Sequence, residues 1–156
     1  GAQWVIDNHG FLSWLGLEPL EVEYGRVKMR LPYDRKLSNF VFEDEEGEDA
    51  PRAPIHGGIT ATLVDTTSGF ALRTTFDDPT AGMLTTTDLD VKYIRPATSD
   101  LTVETEVVRA GDSSGVTQST VYGTAPGGER KAVVIGSTTY RVFPDRAEPG
   151  ADEAQP

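Results

Sequence analysis

Apolar and polar positions change rhythm along this chain, and each change predicts an element. In "WVIDNHGFLSWLGLEPLEVEYG", helical spacing puts Phe11, Leu12, Trp14 and Leu15 on one side of a short helix that Gly16 stops. "LEPLEVEYGRVKMRLPY" then alternates. Leu20, Val22 and Tyr24 share one face, and Val27, Met29 and Leu31 share another across Gly25, which reads as strand, tight turn, strand. Residues 57–75 form the best helix candidate, with Ile59, Leu63, Phe70 and Ala71 near one side and Val64 adjacent. Its many threonines lower its intrinsic propensity, so burial must hold it, and "FDDPTAG" ends it.

Everything beyond reads as strand. "MLTTTDLDVKYIRPA" places Leu89, Val91 and Tyr93 on one face, and "DLTVETEVVRAG" does the same for Leu101, Val103, Thr105 and Val107. "GVTQSTVYGTAPGG" and "RKAVVIGSTTYRVF" complete a four-strand run with turns at "GDSSG" and "APGG". One long helix among about six antiparallel strands has few packing solutions. The simplest is an α+β architecture, a curved antiparallel sheet wrapped round the helix. A helix so enclosed must be apolar nearly all round, which fits the Ala, Thr, Val and Gly of "GITATLVDTTSGFAL".

This predicts a single domain over residues 1–144. The acidic stretch at 42–54, "FEDEEGEDAPRAP", is expected as a solvated loop inserted in it, and residues 145–156 as a disordered acidic tail.

Composition narrows the function. The net charge of −11 repels nucleic-acid phosphates and anionic lipid, so neither is an expected partner. Cysteine is absent, which excludes disulfides and thiolate metal sites. His9 and His56 do not make a metal centre, and His9 reads as a surface or helix-end residue. No apolar run is long enough to span a bilayer, and "GAQWVIDNHG" lacks a basic n-region and a signal-type core, so a cytoplasmic location is the expectation. Ten Arg and four Lys against 13 Asp and 12 Glu suit either an ordinary acidic protein or one from a salt-loaded cytoplasm.

The element order, "HGGITATLVDTTSG" and the later D-x-x-x-x-Y-x-R-P-A of "DLDVKYIRPA" together resemble the hotdog-fold acyl-CoA thioesterases, in particular the phenylacetate-degradation (PaaI-like) branch. The resemblance covers roughly residues 10–143. It implies a homodimer whose two sheets run together and whose central helices pack antiparallel, with dimers of dimers common. It also implies hydrolysis of an acyl-CoA thioester without a metal or organic cofactor.

That chemistry explains glycines leading a helix and an acid inside it. A thioester carbonyl develops negative charge when attacked, and a helix N-terminus offers unpaired N–H groups and a positive dipole end. Glycine lets substrate approach closely, so Gly57 and Gly58 suit an oxyanion site. Asp65 is the candidate general base or nucleophile. It lies seven residues past Gly58, about 10 Å along a helix axis, too far to share one carbonyl within one chain. An antiparallel partner helix would bring the two together.

Further candidates follow from the resemblance. Thr86 falls where relatives carry a Ser or Thr that helps hold the attacking water, with Thr85 and Thr87 as rivals in register. Relatives carry Asn or Gln about six residues before the HGG; Ala50 stands there, and Asn39, expected at the end of the second strand, is the alternative if the acidic stretch is an insertion. His56 reads as a helix-capping or core histidine, and the resemblance implies a structural neighbour of the glycines at the substrate. CoA is polyanionic, and Lys92, Arg95, Arg109, Arg130 and Lys131 are the candidate cations, with Arg95 before Pro96 at the rim. Two other functions compete: an enoyl-thioester hydratase or dehydratase using His56 and Asp65, and a non-catalytic acyl-CoA binding protein.

Overall fold

The computed structural model describes residues 1–40 and 52–143. Most of the 42–54 stretch, including Ala50, and the 145–156 tail lie outside the described residues. Two short helices, α1 (Ala2–Asp7) and α2 (Gly10–Leu15), lead into the hairpin β1 (Glu18–Glu23) and β2 (Arg26–Leu31). A single 3₁₀ turn, Arg35–Leu37, precedes the long helix α3 (Gly57–Arg73). Four strands follow: β3 (Met83–Tyr93), β4 (Leu101–Ala110), β5 (Ser114–Thr124) and β6 (Arg130–Phe143). No helix among the described residues is long and apolar enough to cross a membrane.

The six strands form one antiparallel sheet in the order β1-β2-β4-β5-β6-β3, and α3 packs on one face of it. The α+β fold expected from the sequence is the one observed. Side chains alternate across each strand. Val27, Met29 and Leu31 of β2 point at the helix beside their register partners Thr105, Val103 and Leu101 of β4, and all six are buried. Each fully buried Leu or Met contributes about 1.5–3 kcal/mol.

The buried residues of α3 are Thr60, Leu63, Val64, Thr67, Ser68, Ala71 and Leu72. Their three- and four-residue spacing is the helical stripe that faces a sheet. The opposite side is half-buried, so the helix is not covered all round by its own chain. It ends two residues short of the expected 75. Thr74 and Thr75 turn their hydroxyls back onto the Ala71 and Leu72 carbonyls.

Two glycines set how closely α3 lies on the sheet. A Cβ on Gly115 would sit 2.4 Å from the Leu72 side chain, and one on Gly136 would sit 2.8 Å from Val64. Hydroxyls are paired within the layer. Thr117 bonds Ser68 of the helix at 2.7 Å and Thr138 of β6 at 2.6 Å, and Thr105 bonds Ser119 at 2.6 Å. Ser68 is the helix residue in this network; Thr60 and Thr62 of α3 turn their hydroxyls back onto the Gly57 and Gly58 carbonyls, and the buried Thr67 hydroxyl has no partner among the described residues.

The helix, strand, turn and strand expected near the N-terminus form, but two of their apolar sets stay uncovered. Leu12 and Leu15 are buried, but Phe11 and Trp14 are exposed and stack on each other with ring centroids 6.4 Å apart. A six-residue helix buries only about one side, and here Leu12 and Leu15 occupy it. Leu20, Val22 and Tyr24 are likewise exposed. β1 is an edge strand with a bulge at Leu20, beyond the reach of α3.

Candidate active site

The site candidates gather in two places along α3. The first is its N-terminus. His56 caps the helix in extended backbone (φ −56°, ψ 133°), and its Nδ1 accepts the Gly58 N–H at 2.9 Å. The Gly57 N–H has no partner among the described residues. The two glycine amides are therefore not equivalent: one is capped and one is free. The Gly57 carbonyl accepts from Tyr93 Oη at 2.7 Å and Thr60 Oγ1 at 2.9 Å, which pins this turn on its other side.

Gly57, Gly58, Asn39, Tyr93 and Arg95 line one cavity of about 550 Å³. Asn39 reaches it from the loop after the 3₁₀ turn, not from the end of β2 as expected, and its N–H is fixed on the Pro54 carbonyl at 2.9 Å. Arg95 donates to the Ala132 carbonyl at 2.6 Å and has no carboxylate partner among the described residues. That leaves a cation at the rim of a polar helix end.

The second place is Asp65, two turns further along. It is half-buried, and its Oδ1 accepts from Thr86 Oγ1 at 2.7 Å and from Tyr140 Oη at 2.6 Å. Tyr140 Oη also lies 2.5 Å from the Asp65 main-chain carbonyl. Oδ2 carries no hydrogen bond among the described residues. Thr86 and Tyr140 are direct register partners on β3 and β6.

A bulge at Thr87 makes this possible. Leu89 pairs with Thr138 and Thr86 with Tyr140, so both face the helix although one is odd-numbered and the other even. Simple alternation back from Leu89, Val91 and Tyr93 would have turned Thr85 and Thr87 inward instead.

The Tyr140 phenol is held well above the ordinary value of 10.0, first by burial and then by its bond to Asp65. Thr86 and the Gly69 amide, both close to the phenol oxygen, pull the other way without cancelling it. Tyr140 thus stays a protonated donor where exposed tyrosines ionise. The folded value lies above the unfolded one, so this group stabilises the fold below pH ~10, and that contribution is lost as pH rises beyond it. Spectrophotometric titration of the folded protein and of Tyr140→Phe should give the same phenolate increment, and the two should differ only after unfolding. A smaller increment in Tyr140→Phe at moderate alkaline pH would show that Tyr140 ionises in the fold.

The remaining cations are placed elsewhere. Lys92 does not join the site. It alternates with Val91 and Tyr93 onto the outer face of the sheet, near Asp90 at 3.9 Å, in a concavity of about 630 Å³ that also holds Lys28, Glu21 and Glu104. Arg130 pairs with Glu104 at 3.0 Å and Lys131 with Glu129 at 3.6 Å. Arg109 lines neither cavity. His9 caps α2, accepting the Leu12 N–H on Nδ1.

Sequence reasoning missed Tyr140 and the hydroxyl of Tyr93. A signal existed for the first: alternation along β6 puts Val134, Gly136, Thr138, Tyr140 and Val142 on one face. Tyr140 is the long polar-tipped side chain on that face.

Residues 55–126 match the thioesterase superfamily. A Halobacterium salinarum protein provisionally named an esterase is 39% identical over 142 residues, covering 90% of this chain and 89% of its own. Among solved structures, a thioesterase family protein of Silicibacter pomeroyi superposes with a TM-score of 0.73 at 22% identity, covering 90% of this chain and 94% of its own. PaaI of the Escherichia coli phenylacetic acid degradation operon does so with a TM-score of 0.68 at 15% identity, covering 90% and 88%. With the sheet, the helix packed on it and the HGG turn in place, the chain belongs to the hotdog-fold thioesterase superfamily.

Proposed function

We propose that the protein is an acyl-CoA thioesterase whose site is shared between two copies of the chain. The observation that carries this is the state of Asp65: one carboxylate oxygen held by two hydroxyl donors, the other unpartnered among the described residues. A surface aspartate has no need of such a setting, whereas a general base does.

The mechanism follows from the donors. Thr86 spends its one proton on Asp65 Oδ1, so towards water it can only accept. A water that donates one proton to Oδ2 and the other to Thr86 Oγ1 aims its lone pairs at the substrate carbonyl. Its oxygen attacks the carbonyl carbon as Oδ2 takes the proton. The free Gly57 N–H and the positive end of α3 stabilise the oxyanion, with Gly58 sharing its N–H with His56. The C–S bond then breaks, and the leaving thiolate recovers the proton from Asp65. Asn39 and Arg95 at the cavity rim suit the amide and phosphate groups of CoA.

Asp65 and the free amide lie two turns apart on one helix, and Asp65 does not line the cavity at the helix N-terminus. An antiparallel second copy supplies the missing half. β3 is the edge suited to it: eleven residues long, with Leu89 and Tyr93 exposed. β1, the other edge, is short and bulged and carries Pro19 and three glutamates, which discourage pairing.

A panel of acyl-CoA esters, followed by release of free CoA thiol at low and molar KCl, tests this function. Hydrolysis of at least one ester is expected. The acid-rich surface, together with a relative in Halobacterium salinarum, leads us to expect a melting temperature that rises with KCl as the charges are screened. Absence of hydrolysis across the panel by an assembled protein would defeat the assignment, and a flat or falling melting curve would defeat salt adaptation alone.

A further inference from the structure

We propose that Tyr140 is the positioning residue of this site, straps Asp65 to its own helix backbone and so selects Oδ2 as the reactive oxygen. The inference rests on the thioesterase mechanism above. A carboxylate is symmetric. If Asp65 could rotate freely about its terminal bond, its two oxygens would exchange, and the water would meet either one in a range of orientations. The Tyr140 hydroxyl sits within hydrogen-bond distance of both Oδ1 and the main-chain carbonyl of the same residue. Its one proton is shared between those two acceptors, which holds side chain and backbone to the same phenol oxygen.

Thr86 adds a second donor on the same oxygen. With Oδ1 saturated, Oδ2 is the one lone-pair-bearing oxygen left for water. The strap is anchored by the sheet. Tyr140 is buried, its register partner is Thr86, and its ring lies against Gly69 on the next turn of α3. Sheet and helix thus meet at the oxygen atom that must not move. Thr86 can hold Asp65 and the water together, whereas Tyr140 faces the carboxylate from the core side and acts only through it.

Three enzymes and one double variant test this. Tyr140→Phe keeps the ring and removes only the hydroxyl, and the Asp65 carbonyl retains the helix amide four residues on. The expected result is a kcat roughly 10- to 100-fold lower with KM unchanged. In an Asp65→Asn background the same change should leave the residual rate alone, because Tyr140 has no route to the reaction except Asp65. A purely structural residue would slow both backgrounds by the same factor. Should Tyr140→Phe fail to assemble, 3-fluorotyrosine at position 140 keeps the shape and alters only donor strength, and a several-fold change in kcat without one in KM is expected.

Wild-type kcat in Tyr140→Phe, or in the fluorinated protein, would overturn the positioning role while an inactive Asp65→Asn leaves the thioesterase mechanism standing. Equal losses in both backgrounds would also overturn it. A fully active Asp65→Asn would overturn the mechanism itself.

Discussion

Asp65→Asn is expected to lower thioester hydrolysis by about 10²- to 10⁴-fold while the protein stays folded and assembled. Asparagine is isosteric with aspartate, and its carbonyl oxygen can take the place of Oδ1, accepting from Thr86 and Tyr140 as before. What changes is the other position. There an NH₂ replaces an unpartnered carboxylate oxygen, so a group that accepted the water's proton now donates. Attack is lost without loss of packing.

Asp65→Ala is the coarser variant. It leaves Thr86 without its acceptor in a half-buried place, and an unmade bond of that kind costs about 1–3 kcal/mol. The Asn variant should therefore keep a melting temperature near the parent and the Ala variant should lie below it, although both are inactive. Steady-state rates beside thermal melts separate the two effects. An Asp65→Asn protein with parental kcat would remove Asp65 from the chemistry.

Much of this arrangement was legible from periodicity. The α3 stripe and the four final strands follow from three- and two-residue spacing, because in both cases one face is buried and the pattern records it. The HGG turn and the internal acid stand out against that apolar background. What the pattern left open has other causes. Leu20, Val22 and Tyr24 alternate as a core strand would, but the register shift at Leu20 and the edge position leave them uncovered, and neither is written in local sequence. Lys92 is the exception, because alternation with Val91 and Tyr93 already sends it to the outer face beside Asp90. The competition among Thr85, Thr86 and Thr87 is decided by one bulge, a property of pairing with β6 and not of the three threonines. Tyr140 was missed because a tyrosine in a strand reads as packing until the strand opposite it is known. His56, by contrast, reads from its place before the glycines as a helix-capping or core histidine, and it caps the helix by taking the Gly58 amide.

Gly57→Pro should lower kcat by about 10²- to 10³-fold, and Gly57→Ala by no more than about 10-fold. The pair differs in the amide hydrogen and in the ring carbons Cγ and Cδ that proline puts in its place. Gly57 is the first helical residue, where proline is tolerated because that N–H has no intrahelical acceptor, and His56 already holds the extended backbone that a following proline demands. Alanine and proline bring the same Cβ, which would lie 3.2 Å from the Tyr93 ring. Tyr93 is 56% exposed and can swing outward, so both variants share a modest steric cost. Only proline also deletes the donor. If the oxyanion rests on the Gly57 amide, the difference between the two contains the lost bond together with the crowding by Cδ at the same spot, and equal rates would move the oxyanion site elsewhere.

The same variant tests how the site is divided. If the site is shared within a dimer, an Asp65→Asn homodimer and a Gly57→Pro homodimer are each defective in both sites. In a mixed dimer, Asp65 of the proline chain meets Gly57 of the asparagine chain, and that one site is whole. Random reassortment of equal amounts makes half of the dimers mixed, each with one good site of two, so about a quarter of the parental rate should return. A site confined to one chain would regain nothing on mixing, because every chain carries a lesion. Recovery near a quarter, against none, therefore decides whether the two turns of helix between Gly57 and Asp65 are bridged by a second copy.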